Sequence, residues 1–239
     1  MAAIFSFLSC GKNKETENTV TLRLEHAVAG APLTLNKIQY QAQSGHRFSV
    51  ERLKYYISNV VLYRADGSTY ESDAVHYREE GIAATAELAL GDVPDGEYTR
   101  LRFIVGLDET TNKPNGLPPT PENINMEWPI PGEEGYHYMK FEGKYDSMGA
   151  GVIKSFNLHT GAAKNQPYYV AVDLTLSGLS VDNDNWNITL QMDLNEWLQN
   201  PHTYDFEQFG PGIMTKPAAQ QILMENGASL FTVHAAVRE

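Results

Sequence analysis

Histidine is the residue type in this sequence best suited to metal or acid-base chemistry, and several of the seven histidines fall in predicted strands. His26 shares the apolar side of "TVTLRLEHAVAG" with Leu22 and Leu24, so the alternation directs its imidazole inward. An inward imidazole must be hydrogen-bonded or bound to a metal, because leaving it unsatisfied costs about 1–3 kcal/mol. His159 ends the predicted strand in "FNLHTG", at a sheet rim where a ligand can reach it.

The remaining histidines divide between strands and turns. His137 lies in "GYHYMKFEG" on the phase of Met139, which predicts an ordinary strand position, and His234 ends the last strand. The histidines in polar turn contexts are predicted to lie at the surface: His46, His76 and His202. A backbone carbonyl can satisfy any one of the seven. Strand-borne histidines near methionines and a tryptophan, without a thiolate, nevertheless describe a nitrogen-rich site that suits copper better than the cysteine-rich structural cages of zinc.

Other familiar motifs do not match the sequence. No Gly-rich turn joins a strand to a helix as a nucleotide site requires, and no serine lies in a Gly-x-Ser-x-Gly context. "DNDNWNITLQMD" lacks the glycine of a calcium loop, and its carboxylates Asp182 and Asp184 are predicted to lie in a turn before the strand "NWNITLQMDL". Because no pair of nucleophile and base can be named, we expect no catalytic turnover.

The elements that must position these residues are mostly strands. At least eight short alternating segments separated by turn residues predict an all-β fold, an antiparallel β-sandwich. Asp66-Gly67 is a strong hairpin signal. Pro217 and Gly227 bracket one predicted short helix near the C-terminus. The Pro- and Asn-rich connection from Glu109 to Asn125 is long enough to be either a functional or a mobile loop.

Length and charge limit the possible partners. At 239 residues the chain fits one domain, predicted to span residues 19–239. The formal charge of -12 repels phosphate backbones, so we expect no nucleic acid partner. No apolar run approaches the length of a membrane-spanning helix.

The N-terminal residues 1–18 resemble the remnant of a lipoprotein signal peptide and a flexible tether. Small and apolar residues precede Cys10, the only cysteine, and a polar, charged stretch follows it. Lipidation of Cys10 would anchor the protein to the outer membrane, in the periplasm or at the cell surface. The alternative is an apolar N-terminus that carries an unrelated thiol.

The order of motifs from about Thr19 to His234 resembles the MbnP-like family, the copper-binding proteins associated with methanobactin operons and their relatives in Bacteroidetes. The most specific segments are "LKYYISNVVL", "DGEYTRLRFIVGLD" and "GYHYMKFEG", with "MEW" and "FNLHTG" in the corresponding order. The resemblance implies a β-sandwich that works outside the cytoplasm and is often a lipoprotein.

The resemblance also implies a metal site. Copper-binding members hold the metal with histidine and a tryptophan that a di-haem partner enzyme of the MauG type oxidises to kynurenine. Carried over by position, the implied site residues are His26, Trp128, His159 and His234. The family motif usually continues with a second tryptophan, where this chain has Ile130. If that second tryptophan is the oxidised one, kynurenine cannot form here.

Two functions follow as hypotheses. The first is a copper-binding lipoprotein without catalytic turnover, with His26, His159, His234 and Trp128 at the metal. The second is a surface lipoprotein that binds a glycan or a protein partner through exposed aromatic residues, with purely structural histidines. An open aromatic face, or a wide separation of His26 and His159, would favour the second.

Overall fold

The computed structural model describes residues 18–147, 151–164 and 166–239, so Cys10 and the predicted signal around it lie outside the described residues. Two β-sheets enclose the main hydrophobic core, and one longer helix follows near the C-terminus. The expectation of an all-β sandwich with a short C-terminal helix is confirmed. Among the described helices, none combines the length and apolar character needed to cross a bilayer.

The described residues form fourteen strands and three α-helices. The strands are Thr19–Val28 (β1), Ala31–Pro32 (β2), Tyr40–Gln41 (β3), Arg47–Phe48 (β4), Arg52–Arg64 (β5), Thr69–Ser72 (β6), His76–Glu79 (β7), Glu87–Asp92 (β8), Gly96–Val105 (β9), His137–Ser147 (β10), Val152–Gly161 (β11), Val170–Val181 (β12), Trp186–Asp193 (β13) and Phe231–Arg238 (β14). The helices are Pro121–Asn125 (α1), Phe206–Phe209 (α2) and Pro217–Asn226 (α3), with 3-10 turns at Ala83–Thr85, Glu196–Leu198 and Gly227–Ser229.

The smaller sheet has five strands in the order β14-β13-β1-β2, with β8 also paired to β1. The larger sheet has nine strands in the order β12-β9-β5-β10-β4-β3, with β11 on β10 and both β6 and β7 on β5. One ladder departs from the antiparallel expectation, because β1 and β13 run parallel. A parallel pair needs a long crossover connection, and most of the chain separates these two strands.

Sequence alternation explains which faces of the strands are buried. In β1 the side chains of Leu22 and Leu24 point into the space between the sheets and are essentially inaccessible to solvent. The Asp66-Gly67 signal is confirmed as the turn between β5 and β6, where Gly67 takes a positive φ of 88°. The signals at Pro217 and Gly227 are confirmed as the start of α3 and the residue that follows it.

A second hydrophobic cluster lies on the face of the larger sheet that points away from the smaller sheet, here called the outer face. Its buried members are Tyr56, Leu107, Leu117, Met126, Tyr136 and Tyr138. Most of them belong to residues 106–136, the loop between β9 and β10. This 106–136 loop, which contains the Pro- and Asn-rich connection and ends in α1 and a tight turn, therefore packs on the sheet through its own small core.

Candidate metal centre

Two histidines on neighbouring strands meet on the outer face of the larger sheet. Their ring centroids lie 5.0 Å apart, and the planes of His137 and His159 are nearly perpendicular at 87°. His159 follows Leu158, whose side chain is fully buried in the main core, so alternation along β11 turns His159 to the outer face. The sequence predicted a site at His159, and in the structure the ring of His137 lies beside it.

A β-bulge brings His137 to the outer face. His137 pairs with Gly161 and Met139 pairs with Thr160, so Tyr138 is an extra residue on β10. An extra residue breaks the period of two and lets consecutive side chains share one face. The prediction of an ordinary strand position for His137, on the phase of Met139, is therefore wrong. Sequence alternation has no signal for this bulge, although three consecutive ring-bearing residues before an alternating run are unusual.

The imidazole of His137 is held in one orientation and has one free nitrogen. Its Nδ1 lies 3.0 Å from the carbonyl oxygen of Met126, while its buried Nε2 has no hydrogen-bond partner. Burial, with the nearby charge of Lys140, lowers the pKa of His137 to about 3. A neutral ring that donates Nδ1–H to the Met126 carbonyl leaves a lone pair on Nε2.

Trp128 packs directly against this histidine. The ring centroids of Trp128 and His137 lie 4.8 Å apart, Trp128 is 4 % exposed, and its buried Nε1 has no hydrogen-bond partner. The six-membered part of the indole lies over Gly161, where an added Cβ would come within 2.6 Å of Trp128 Cζ3. The glycine of "FNLHTG" is thus the residue that lets the tryptophan approach β11.

A tight turn holds Trp128 beside β10. The Trp128 amide donates to the carbonyl of Gly135 at 2.9 Å, and the amide of Glu133 donates to the carbonyl of Ile130 at 3.1 Å. Ile130, at the position of the family's second tryptophan, therefore lies within this turn. A cavity of about 180 Å³ adjoins Trp128 and is also lined by Glu134.

His159 is fixed by a carboxylate on its side chain and by helix α3 on its backbone. His159 Nε2 lies 2.8 Å from Oε1 of Glu142, and Arg52 donates to the other carboxylate oxygen at 2.7 Å. The hydrogen bond from His159 holds the pKa of Glu142 below its usual range against the opposing effect of partial burial, and the charge of Arg52 adds to this lowering. The buried amide of Gln220 on α3 donates to the His159 carbonyl at 2.8 Å.

The structure does not bring His26 to this cluster. His26 is buried on the inner side, where Nδ1 lies 2.5 Å from Glu80 and Nε2 lies 2.9 Å from the hydroxyl of Tyr55. Arg78 donates to the same Glu80 oxygen at 2.7 Å. Burial, reinforced by the charge of Arg78, lowers the pKa of His26 despite the hydrogen bond to Glu80. A neutral His26 donating to Glu80 and accepting from Tyr55 has both nitrogens satisfied, and it lies across the larger sheet from His159.

The other histidines lie elsewhere. His234 is exposed at a bulge of β14, in the smaller sheet. The prediction that His46 lies at the surface is wrong, because it is 1 % exposed with Nδ1 3.0 Å from a backbone carbonyl. His76 is half-buried against the carbonyl of Thr85, and His202 is exposed and paired with a glutamate.

The cluster offers few ligands to a metal ion. Within residues 18–147, 151–164 and 166–239, no three His, Cys, Asp or Glu side chains converge where a metal could be shared. What the described cluster provides is two imidazoles with an indole against one of them. The buried Nε2 of the neutral His137 has no partner, so it can donate its lone pair to a metal ion.

Comparison with known proteins places the chain in a family. A solved structure, MbnP from Methylosinus trichosporium, matches with a TM-score of 0.61 over 92 % of this chain and 98 % of that chain, at 14 % sequence identity. At this identity the likeness shows the shared fold. No curated protein sequence matches the chain. The MbnP family model matches residues 17–215, and the chain therefore belongs to the MbnP family.

Proposed function

We propose that the chain is an extracytoplasmic copper-binding lipoprotein without catalytic turnover, in which His137 and His159 hold copper beside Trp128. The observation that carries this proposal is the buried Nε2 of His137, which has no hydrogen-bond partner and belongs to a ring packed against that of His159. Leaving such an atom unsatisfied costs about 1–3 kcal/mol, and a bound metal removes that cost.

The chemistry of the ligands favours copper over zinc. Imidazole suits both metals, but zinc sites in proteins take three or four protein ligands, and the described residues supply a pair of imidazoles. Neutral imidazole is the form that binds metal, and the burial that lowers the pKa of His137 keeps this ring neutral across the physiological range. Membership of the MbnP family, whose copper-binding members gave the resemblance, supports the same metal.

The ligand set differs from the one carried over by position. His159 and Trp128 remain in the proposed site, and His137 joins them. His26 is left out because both of its nitrogens have protein partners. His234 is left out because it lies on the smaller sheet with an exposed side chain.

The finer parts of the proposal concern location and partners. We place the protein in the periplasm or at the cell surface, anchored to the outer membrane through lipid on Cys10. A di-haem oxidase of the MauG type is the proposed partner, with Trp128 as its target. The contact between the indole of Trp128 and His137 supports that choice of tryptophan, because oxidation there would change the surroundings of the copper.

The binding of a glycan or protein through an aromatic face has less support. Every aromatic side chain in the described residues is at least partly buried, so these residues offer no open tyrosine and tryptophan surface. His26 contacts the inward Tyr55 and His159 lies on the outer face, so these two histidines do not form a pair, whereas His137 and His159 do.

Titration of the metal-free, full-length protein with Cu(I) against a competing chelator tests the proposal. We expect one copper per chain, and we expect His137→Ala and His159→Ala each to weaken binding by roughly 100-fold or more. His202→Ala is the matched control, because His202 is exposed and pairs with Glu225 outside the cluster. This variant should bind copper as the wild type does. Unchanged affinity in both site variants, or no binding by the wild type, would contradict the proposal.

A further inference from the structure

We propose that Glu142 is a positioning residue that fixes the tautomer of His159, so that Nδ1 of His159 is the nitrogen presented to copper. The inference rests on the proposed function at His137 and His159. Glu142 is a carboxylate that the sequence did not single out, and its role determines which nitrogen of His159 is the ligand.

The hydrogen bond between His159 and Glu142 decides the tautomer. His159 Nε2 and Glu142 Oε1 are 2.8 Å apart, and an ionised carboxylate can only accept a hydrogen bond. Nε2 of His159 therefore carries the hydrogen. In a neutral imidazole the lone pair then resides on Nδ1. The two ring nitrogens point in different directions, so Nδ1 does not face Glu142.

Arg52 holds the carboxylate of Glu142 in place. The guanidinium donates to Oε2 at 2.7 Å, while Oε1 faces His159, so each carboxylate oxygen has its own partner. Arg52 is directly across the ladder from Glu142, on β5, so the pair is fixed by strand register. A carboxylate that is charged and oriented on both oxygens keeps the imidazole in one tautomer and one orientation.

Strand register places His137 and Glu142 on opposite sides of His159 along β10. His159 lies opposite Lys140 on β10, with Glu142 in one direction along that strand and His137 in the other. His159 therefore lies between its carboxylate partner and the other imidazole. The carbonyl of Met126 plays the equivalent part for His137, since it occupies Nδ1 and leaves Nε2 free. The resulting donor pair is Nε2 of His137 and Nδ1 of His159.

Nitrogen-15 NMR of histidine-labelled, metal-free, full-length protein at about pH 8, above the ordinary imidazole pKa, reads the tautomer directly. In the wild type we expect His159 to show a single Nε2–H tautomer with a resolved, hydrogen-bonded Hε2 proton. Glu142→Leu should lose that proton signal and average the nitrogen shifts. Glu142→Gln should keep it, because the amide oxygen still accepts. The side chain of Glu51, next to Arg52 in sequence, forms an ion pair with Lys144, so Glu51→Leu is the control and should change nothing.

Copper affinity gives the second readout. Glu142→Leu should weaken Cu(I) binding by about 10–100-fold, with Glu142→Gln closer to the wild type, as for other carboxylates that support a ligating histidine. An Nδ1–H tautomer of His159 in the wild type, or wild-type affinity in Glu142→Leu, would overturn the inference. If the wild type binds no copper, the proposed function fails, and the metal-free tautomer measurement still decides whether Glu142 positions His159.

Discussion

His137 and His26 are both buried imidazoles, and they differ in how many of their nitrogens have a protein partner. His26 has two, Glu80 and Tyr55, whereas His137 has only the carbonyl of Met126. A ring with both nitrogens bonded gains nothing from a metal, while a ring with a buried free nitrogen does. Strand phase predicted that His26 points inward, but it carries no information about which polar side chains meet it there.

Replacing His26 separates these two roles. We expect His26→Ala to lower the free energy of unfolding by roughly 2–4 kcal/mol, because it leaves the Glu80 carboxylate and the buried Tyr55 hydroxyl without their hydrogen bonds to His26. The copper stoichiometry of the folded variant should be unchanged. Urea unfolding and Cu(I) titration measure the two effects, and His234→Ala, at an exposed position, should alter neither. A natively folded His26→Ala protein without copper binding would show that His26 is a ligand.

At the scale of elements, the 106–136 loop carries Trp128 and Met126 to the site, and Asp108 organises its beginning. The carboxylate of Asp108 accepts hydrogen bonds from the Asn59 side chain, the Thr110 hydroxyl and the Thr111 amide, each at 2.9 Å. Partial burial alone would raise the pKa of Asp108, but these donors outweigh it and lower the pKa to about 2.

This lowered pKa predicts how stability depends on pH. An aspartate whose pKa falls from 3.8 unfolded to about 2 folded adds stability above pH 3.8, and the contribution is lost as the pH falls toward 2. Asp108→Asn should therefore be less stable than the wild type at neutral pH, and the difference should shrink across that window. Chemical unfolding between about pH 7 and 2 measures it, with the exposed Asp73→Asn as control. A constant difference at all pH values would contradict the role given to the Asp108 charge.

The regular elements were predictable and the irregular ones were not. Alternation and turn residues give the strands, the turn at Gly67 and the limits of α3, because each depends on local preferences. The bulge at Tyr138 and the small core beneath the 106–136 loop depend on contacts between distant segments. The candidate site lies where those two features meet, which is why the motifs pointed to His159 and Trp128 while strand phase put His137 on the wrong face.

Three separate parts of the chain converge on the outer face of the larger sheet. Strand β10 supplies His137 and Glu142, β11 supplies His159, and the 106–136 loop supplies Trp128. Helix α3 stabilises β11 through the hydrogen bond from Gln220 to the His159 carbonyl. The formal charge of -12 favours the approach of cations to such a surface.

X-ray absorption at the copper edge of the Cu(I)-loaded, full-length protein tests most directly whether His137 and His159 hold the copper. We expect two imidazole nitrogens at about 2 Å, one of which disappears in His137→Ala and the other in His159→Ala. His26→Ala should keep both signals. A copper shell without imidazole scattering, or one that is identical in the wild type and in His137→Ala, would contradict the account.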